Sequence, residues 1–476
     1  MDQGRVGLNR RKFLQCAAGA AASFQLANNK SFALGQRNSG GLSETTLPRP
    51  TAAQIAWQDF EVGVLFSLDL PVFAPEGFTE KPKTYDPNLY NPTQLDTDQW
   101  LESAKQAGAG YAVFTATHFN GFLQWQSDLY PYGLKQSSWR NGKGDVMQMF
   151  VESCHKYKIA PGVFLSCHRN AFQNVYNYRV NMGKGGTEQA AFAELGAKMT
   201  EELCSRYGPL CEIWYDAGLP APADGGPDVI PVVERHQKKT VFYSNPQRND
   251  HRWVGNEAGV AGDPCWATEP DQATAYRAHM NSNLPAMREL NSHGDPDGKI
   301  WSPAMVDVPI RNHEWFWRPD DEHKLYTPEA LVGLYYTSVA LNSNFILGAV
   351  PDTRGLIPEK DFAVAAAFGK EIRRRFAVPL AQTKGSGDVV ELSLHQPTRI
   401  DHIIVMEDIA HGERIREYVL EALIPGNTWQ KVLDGQSVGH KRIVRFPPIE
   451  VARVRIRVTR SVARPLVRQL SVYSTS

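Results

Sequence analysis

The stretch EIWYDAG, residues 212 to 218, sets an apolar and aromatic run directly against a carboxylate, Asp216, followed by a small residue and a glycine. A carboxylate closing a buried run is costly unless its charge is paired or used. Other apolar runs stop in the same way. YAVFTAT is followed by His118, GVFLS by Cys167, His168 and Arg169, and TVFYSN ends on Asn245. If these runs are strands, polar side chains collect at their C-terminal ends. The chemistry open to Asp216 then depends on a second acid. Hydrolysis of a glycosidic bond uses one carboxyl to attack or to activate water and another to protonate the leaving oxygen. Glu257 is the leading second acid. It stands in RWVGNEAG (Arg252 to Gly259), a loop with two glycines just past the TVFYSN run, with Asp263 and Glu269 as nearby competitors. No phosphate-cradling loop and no zinc constellation competes for Asp216. The 11 Trp, 17 Tyr and 21 Phe offer rings for a core and for stacking on a sugar face.

Such residues need a frame. VGVLFSL (Val62 to Leu68) is a short apolar run. DTDQWLESAKQAG follows with helical spacing: Asp96 caps it with Gln99 three residues on, Trp100, Leu101, Ala104 and Ala107 share a face, and Gly108 stops it. YAVFTAT is a second strand. DVMQMFVESCHKY is a second helix, capped by Asp145 and striped with Val146, Met149, Phe150, Cys154 and Tyr157. GVFLS is a third strand. A helix after Thr187 aligns Phe192, Leu195, Met199 and Leu203, and EIWYD and TVFYSN follow. Strand and helix alternating at this spacing predict parallel strands with crossover helices. No GxGxxG follows the first strand, which disfavours a dinucleotide fold. The fold class is α/β, a TIM-like (β/α) barrel over residues 49–378, whose site lies at the C-terminal ends of the strands. After AQTKGSGD (Ala381 to Asp388) the pattern becomes seven short strands at close spacing, an all-β sandwich over residues 388–476.

Charge and address narrow the function class. Lys+Arg equals Asp+Glu, 51 against 51, so the basic excess expected of a nucleic-acid partner is missing. NRRKFLQ carries the Arg10-Arg11 pair, CAAGAAASFQLA is a short apolar segment, and SFA ends at Ala33. Together these read as a Tat-type export signal over residues 1–33, giving a periplasmic or secreted protein, with a linker over 34–48. No later run approaches about 18 uninterrupted apolar residues, so no integral membrane segment is expected. Five cysteines remain beyond Cys16, an odd number without CxxC spacing, and read as buried thiols. No cofactor and no metal is expected.

The motifs TATHFNGFLQWQSDLYPYGLKQSSWRNGKGDV, YKIAPGVFLS, EIWYDAG, RWVGNEAGVAGDPCWAT, DVPIR and RGLI resemble the α-L-fucosidases of glycoside hydrolase family 29. The likeness is to the branch shared by plant and Bacteroidetes enzymes. RIREYVLEAL and GHKRIVRF resemble the discoidin-like, galactose-binding-like module that follows their barrel. The resemblance spans roughly residues 50 to 475 and is colinear. It implies a retaining exo-α-glycosidase acting on an oligosaccharide or polysaccharide. The W-F-D-G motif of the family reads W-Y-D-A-G here and makes Asp216 the nucleophile; the W-V-G-N-E loop is intact and makes Glu257 the acid/base. Retention places the two carboxyls about 5–5.5 Å apart.

Three motifs depart from the family. The first strand, usually G-M-F-I-H-F/W-G, reads GVLFSLD, so Ser67 takes the His position. The second, usually ending K-H-H-D-G-F, reads THFNGF: His118 remains, the second His is Phe119 and the acid is Asn120. The third, usually P-A-E-x-D-V-S-I-R-P-G-W-F, reads PAMVDVPIRNHEWF, with Met305 in place of Glu and one residue inserted before Trp315. The family residues at these places bind fucose hydroxyls, so the resemblance implies a changed recognition pocket around an intact catalytic pair. Candidate sugar-binding residues are Ser67, His118, Phe119, Asn120, His168, Trp266, Arg311, Trp315 and Phe316, with Arg311 also placed to pair with an acid. Two alternatives stand beside a fucosidase. One is a glycosidase for a modified (methylated, sulfated or linked) fucose or an α-L-galactoside. The other is a degenerate protein that binds glycan without cleaving it.

Overall fold

The computed structural model describes residues 46–77, 83–180 and 187–475, all within one compact unit, Ser43–Ser476. The expected export signal, and the linker except for Thr46 to Pro48, lie outside the described residues.

Helix α1 (Ala52–Phe60) leads into β1 (Val62–Phe66). The strands that follow are β2 (Tyr111–Thr115), β3 (Ala160–Leu165), β4 (Glu212–Tyr215), β5 (Val241–Tyr243), β6 (Arg252–Trp253), β7 (Ala304–Pro309) and β8 (Ser343–Ala349). All pair in parallel, in the order β5-β4-β3-β2-β1-β8-β7-β6. The barrel closes except between β5 and β6, where no ladder is formed.

The crossover helices follow local signals. Asp96 accepts hydrogen bonds from the N–H groups of Asp98 and Gln99 at the start of α2 (Thr97–Ala107), and Gly108 ends it in the left-handed region at φ 88°. The Gln99 side chain does not return to the cap as expected. Its amide bonds the Ile357 backbone, tying α2 to the loop after β8. Asp145 caps α3 (Val146–Tyr157) through the Gln148 N–H at 2.8 Å. Later helices include α4 (Thr187–Arg206), α5 (Ile230–His236), α6 (Gln272–Met280), α7 (Pro285–His293), α8 (Pro328–Thr337) and α9 (Glu359–Phe376).

Because side chains alternate along a strand, each barrel strand serves two cores. Phe66, Phe114, Val163, Ile213, Val306 and Leu347 face the helices. Leu65, Val113, Phe164, Trp214, Met305 and Ile346 pack in a separate interior cluster. At the N-terminal end this interior is plugged by Glu212, which accepts a hydrogen bond from Trp57 Nε1 at 3.0 Å and pairs with His251. Both side chains of that contact are fully buried.

The C-terminal part is a six-stranded antiparallel sheet: β9 (Ala381–Ser386), β10 (Val389–Glu407), β11 (Ile415–Ile424), β12 (Thr428–Gly435), β13 (Arg442–Ser461) and β14 (Leu466–Tyr473), in the order β9-β14-β10-β13-β11-β12. It differs from the sequence expectation in two ways. The runs VVELSL and RIDHIIVME are one strand, as are KRIVRF and RVRIRV, because the pairing resumes after register shifts between Ser393 and Thr398 and between Ile400 and His402. Residues 381–386, which the sequence reading placed ahead of the first strand, pair with β14 as an edge strand, since an edge tolerates their polar side chains. The sheet has its own core, including Val390, Leu392, Ile403, Val454 and Leu470. It is fastened to the barrel by polar clamps: Glu413 accepts from Ala267 N–H and Asn342 Nδ2 at 2.9 and 2.7 Å, and Arg442 holds Asp263 bidentately at 2.7 and 2.8 Å. The five described cysteines are free thiols, four of them buried.

Candidate active site

Strand parity builds the site. Ser67, Thr115, Ser166, Asp216 and Asp307 each stand two residues beyond an interior residue: Leu65, Val113, Phe164, Trp214 and Met305. They therefore face inward at the C-terminal mouth. There a cavity of about 730 Å³ opens, lined by Ser67, Thr115, Asp216 and Asp307 together with residues of the loops beyond the strands.

The turn after Asp216 explains the residues that follow it. The Asp216 N–H donates to Leu165 O at 2.8 Å, extending the β3–β4 pairing by one residue. Ala217 (φ 55°) and Gly218 (φ 73°) are both left-handed, and the Gly218 N–H returns to Tyr215 O at 2.8 Å. A Cβ on Gly218 would lie 3.0 Å from Ser244 O. A small residue and a glycine are what this reversal requires.

Asp216 presents an edge to the cavity with protein packed behind it. Burial raises its carboxyl to about 6; the Ser166 hydroxyl, donating to Oδ2 at 3.2 Å, and the positive charge of Arg169 oppose the rise, while Glu257 adds to it. Glu257 is an exposed residue that lines the same cavity from the loop after β6. That loop is tied down. The Val254 N–H bonds Met305 O at 3.1 Å, Asn256 bridges to Ala258 and Val260, and Thr337 Oγ1 donates to Gly259 O at 2.7 Å.

Aromatic rings form the walls. His118 stacks on Phe119 with centroids 3.9 Å apart and approaches Phe316 at 4.9 Å. Burial, with Arg169 and His168 nearby, lowers His118 to about 3, so its imidazole is neutral near pH 7. The Arg169 guanidinium lies over the Phe119 ring at 4.7 Å. Trp315 sits over Gly348 of β8, where a Cβ would come within 2.5 Å of its ring. The residue inserted before Trp315 is absorbed in a turn with His313 at φ 64°.

The structure thus brings Ser67, His118, Phe119, Asp216, Glu257, Trp315 and Phe316 to one cavity. Four expected sugar ligands lie outside its lining. Asn120 faces away, donating to Asp69 Oδ2 at 2.7 Å and accepting from the Phe122 N–H, so it braces the loop. His168 is held one layer back by Asn177 at 2.8 Å, against the Tyr178 ring. Arg311 pairs with no acid of the cavity; it is buried between Asp321 and Asp361, bonding the latter at 2.9 and 3.0 Å. Trp266 is buried under the Arg416 guanidinium at 4.9 Å, where the sheet meets the barrel. The competing acids also have other partners: Asp263 holds Arg442, and Glu269 is buried against Asn249.

Sequence reading missed Asp307, Arg169, Trp214, Phe164 and Arg318, all of which line the cavity. Asp307 carried the same signal as Asp216, a carboxylate inside an apolar strand, in AMVDVP. Among the described residues no cluster of three or more His, Cys, Asp or Glu is placed to hold a metal, and no helix is long and apolar enough to cross a membrane.

Residues 54–374 match the family model of alpha-L-fucosidase. Alpha-L-fucosidase 1 of Arabidopsis thaliana is 28% identical over an alignment covering 90% of this chain and 88% of the relative. Among solved structures, a Bacteroides thetaiotaomicron protein assigned to the α-L-fucosidases is 42% identical with a TM-score of 0.86, covering 90% of this chain and 99% of that one. A glycoside hydrolase 29 member from a rumen bacterium is 27% identical with a TM-score of 0.76, over 90% of this chain and 78% of its own.

Proposed function

The chain belongs to the α-L-fucosidase family and is a glycoside hydrolase, and on that premise we propose that it is an exported, retaining exo-enzyme that removes terminal α-L-fucosyl or closely related residues from glycans. The supporting observation is that Asp216 and Glu257 open onto one cavity at the barrel mouth. Its volume falls within the roughly 300–1,000 Å³ common for small-ligand sites.

In this reading the Asp216 carboxylate attacks the anomeric carbon while Glu257 gives its proton to the departing glycosidic oxygen. The C–O bond to the aglycone breaks as a glycosyl ester to Asp216 forms. Glu257, now ionised, takes a proton from water, and that water oxygen displaces Asp216 from the same carbon. Two inversions give net retention. The exposure of Glu257 suits exchange of aglycone for water at the rim. Export rests on Arg10 and Arg11 and the apolar segment after them. Replacing both by lysine in the full chain should trap it in the cytoplasm, read by fractionation.

The test is turnover of an aryl α-L-fucoside by the wild type, Asp216→Ala and Glu257→Ala. Wild-type turnover with both variants impaired supports the reading. A wild type inert on the fucoside but active on an α-L-galactoside or modified fucoside would move the specificity, not the mechanism. Ser67 and Phe119 favour that second outcome, because they line the cavity where the family resemblance places histidines.

A further inference from the structure

Four carboxyls, not two, line the cavity: Asp216, Glu257, Asp307 and Glu314, the last of them held by Arg318 and Lys324. Asp307 lies on β7, opposite Ile346 of β8 and two residues beyond Met305, whose side chain belongs to the interior cluster. Its Oδ1 accepts a hydrogen bond from Trp253 Nε1 at 2.6 Å. Trp253 ends β6 and precedes Glu257 by four residues, so this bond ties the strand under the Glu257 loop to β7. One carboxyl oxygen is thereby fixed within a cavity-lining residue that keeps only 6% of its surface exposed.

The groups around Asp307 do not favour a further negative charge there. Asp216 and Glu257 are both near enough to oppose its ionisation, and Asp307 in turn acts on the buried phenols of Tyr111 and Tyr243. Of the cationic groups lining the cavity, Arg169 acts on Asp216, and Arg318 faces Glu314 at 3.5 Å. His118 is neutral near pH 7. Carboxyls sharing one low-dielectric site cannot all ionise cheaply. Met305, one step deeper on the same strand face, offers the sugar no hydrogen-bonding oxygen or nitrogen. Asp307 is then the polar group that β7 presents to a bound ring.

Resting on the glycosidase reading above, we propose that Asp307 is a substrate-binding carboxylic acid that donates its proton in a hydrogen bond to a hydroxyl oxygen of the bound glycone. Burial first, and then Glu257, push its carboxyl up to about 8, in keeping with that role. No proton is transferred. The acid reads a hydroxyl while Asp216 and Glu257 perform the displacement.

Two variants separate this from an ionised or purely structural Asp307. Asp307→Asn keeps the shape and a donor, so kcat/KM should stay within about tenfold of wild type, whereas Asp307→Ala should lose about a hundredfold. Infrared difference spectra of wild type minus Asp307→Asn at pH 6.5 should show the carbonyl band of a protonated carboxyl, fading as pH rises through about 8. An absent band, or an Asn variant as impaired as the Ala variant, overturns the proposal. Thermal melts of both variants show whether the losses follow unfolding; the Asn variant and the band decide the matter even if Asp307→Ala does not fold. A wild type inert on aryl α-L-fucoside and α-L-galactoside overturns the functional reading, and with it the glycone contact, while the infrared band still reports the charge of Asp307.

Discussion

Replacing Arg311 by methionine tests whether this residue is a clamp of the fold or a ligand of the sugar. Its guanidinium is 3% exposed and bonds Asp361 twice, at 2.9 and 3.0 Å, while also holding Asp321. Both acids are buried as well. Removing the cation leaves two carboxyls facing each other out of water, and breaking a buried ion pair in this way costs about 3–5 kcal/mol. The penalty should depend on pH. Burial already raises both acids above their ordinary values with Arg311 present, and its loss raises them further. In the unfolded chain both titrate normally, so at neutral pH the folded variant binds more protons than the unfolded one. Its stability therefore rises as pH falls, by up to about 1.4 kcal/mol per pH unit per acid. Urea denaturation at pH 5 and pH 8 should show the larger deficit at pH 8. Replacing Asp321 and Asp361 by leucine in the same variant should recover most of the loss, because an apolar triad avoids the desolvation cost. The loop beyond Arg311 carries Trp315 and Phe316, so the folded fraction of Arg311→Met should also show a raised KM. A variant as stable as wild type at both pH values, with only KM raised, would refute the clamp and return Arg311 to the substrate.

Two further outcomes follow from the geometry. As the proposed nucleophile, Asp216 would attack only when ionised, and its carboxyl is raised to about 6, so kcat/KM should fall as pH drops through about 6; an acid limb near 4 would show that its burial does not govern catalysis. Trp266→Ala should destabilise the protein by about 3–5 kcal/mol by opening the contact with Arg416, yet leave kcat/KM of the folded enzyme unchanged, and a raised KM would place Trp266 at the sugar after all.

What the sequence determined by itself is local and periodic. Apolar runs alternating with capped helices specify parallel strands, since Asp96, Gly108 and Asp145 act on backbone groups a few residues away. The carboxylate closing EIWYDAG and the acid in WVGNE were legible for the same reason: each is marked by its immediate neighbours, the left-handed Ala217-Gly218 turn in one case and the glycine-flanked loop in the other. The tertiary structure alone decided which polar residues beside the strands face the cavity. Asn120 and Arg311 carry the right chemistry at the right sequence distance, but their partners are Asp69, Asp321 and Asp361, and which of these meet is a matter of packing rather than of spacing. Trp266 needed the C-terminal sheet in place before its role could be read. Asp307 was hidden for the opposite reason. Its strand announces a buried carboxylate, yet only the folded barrel, with β6 and β7 side by side and Trp253 reaching across, puts that carboxylate in the same cavity as Asp216 and Glu257.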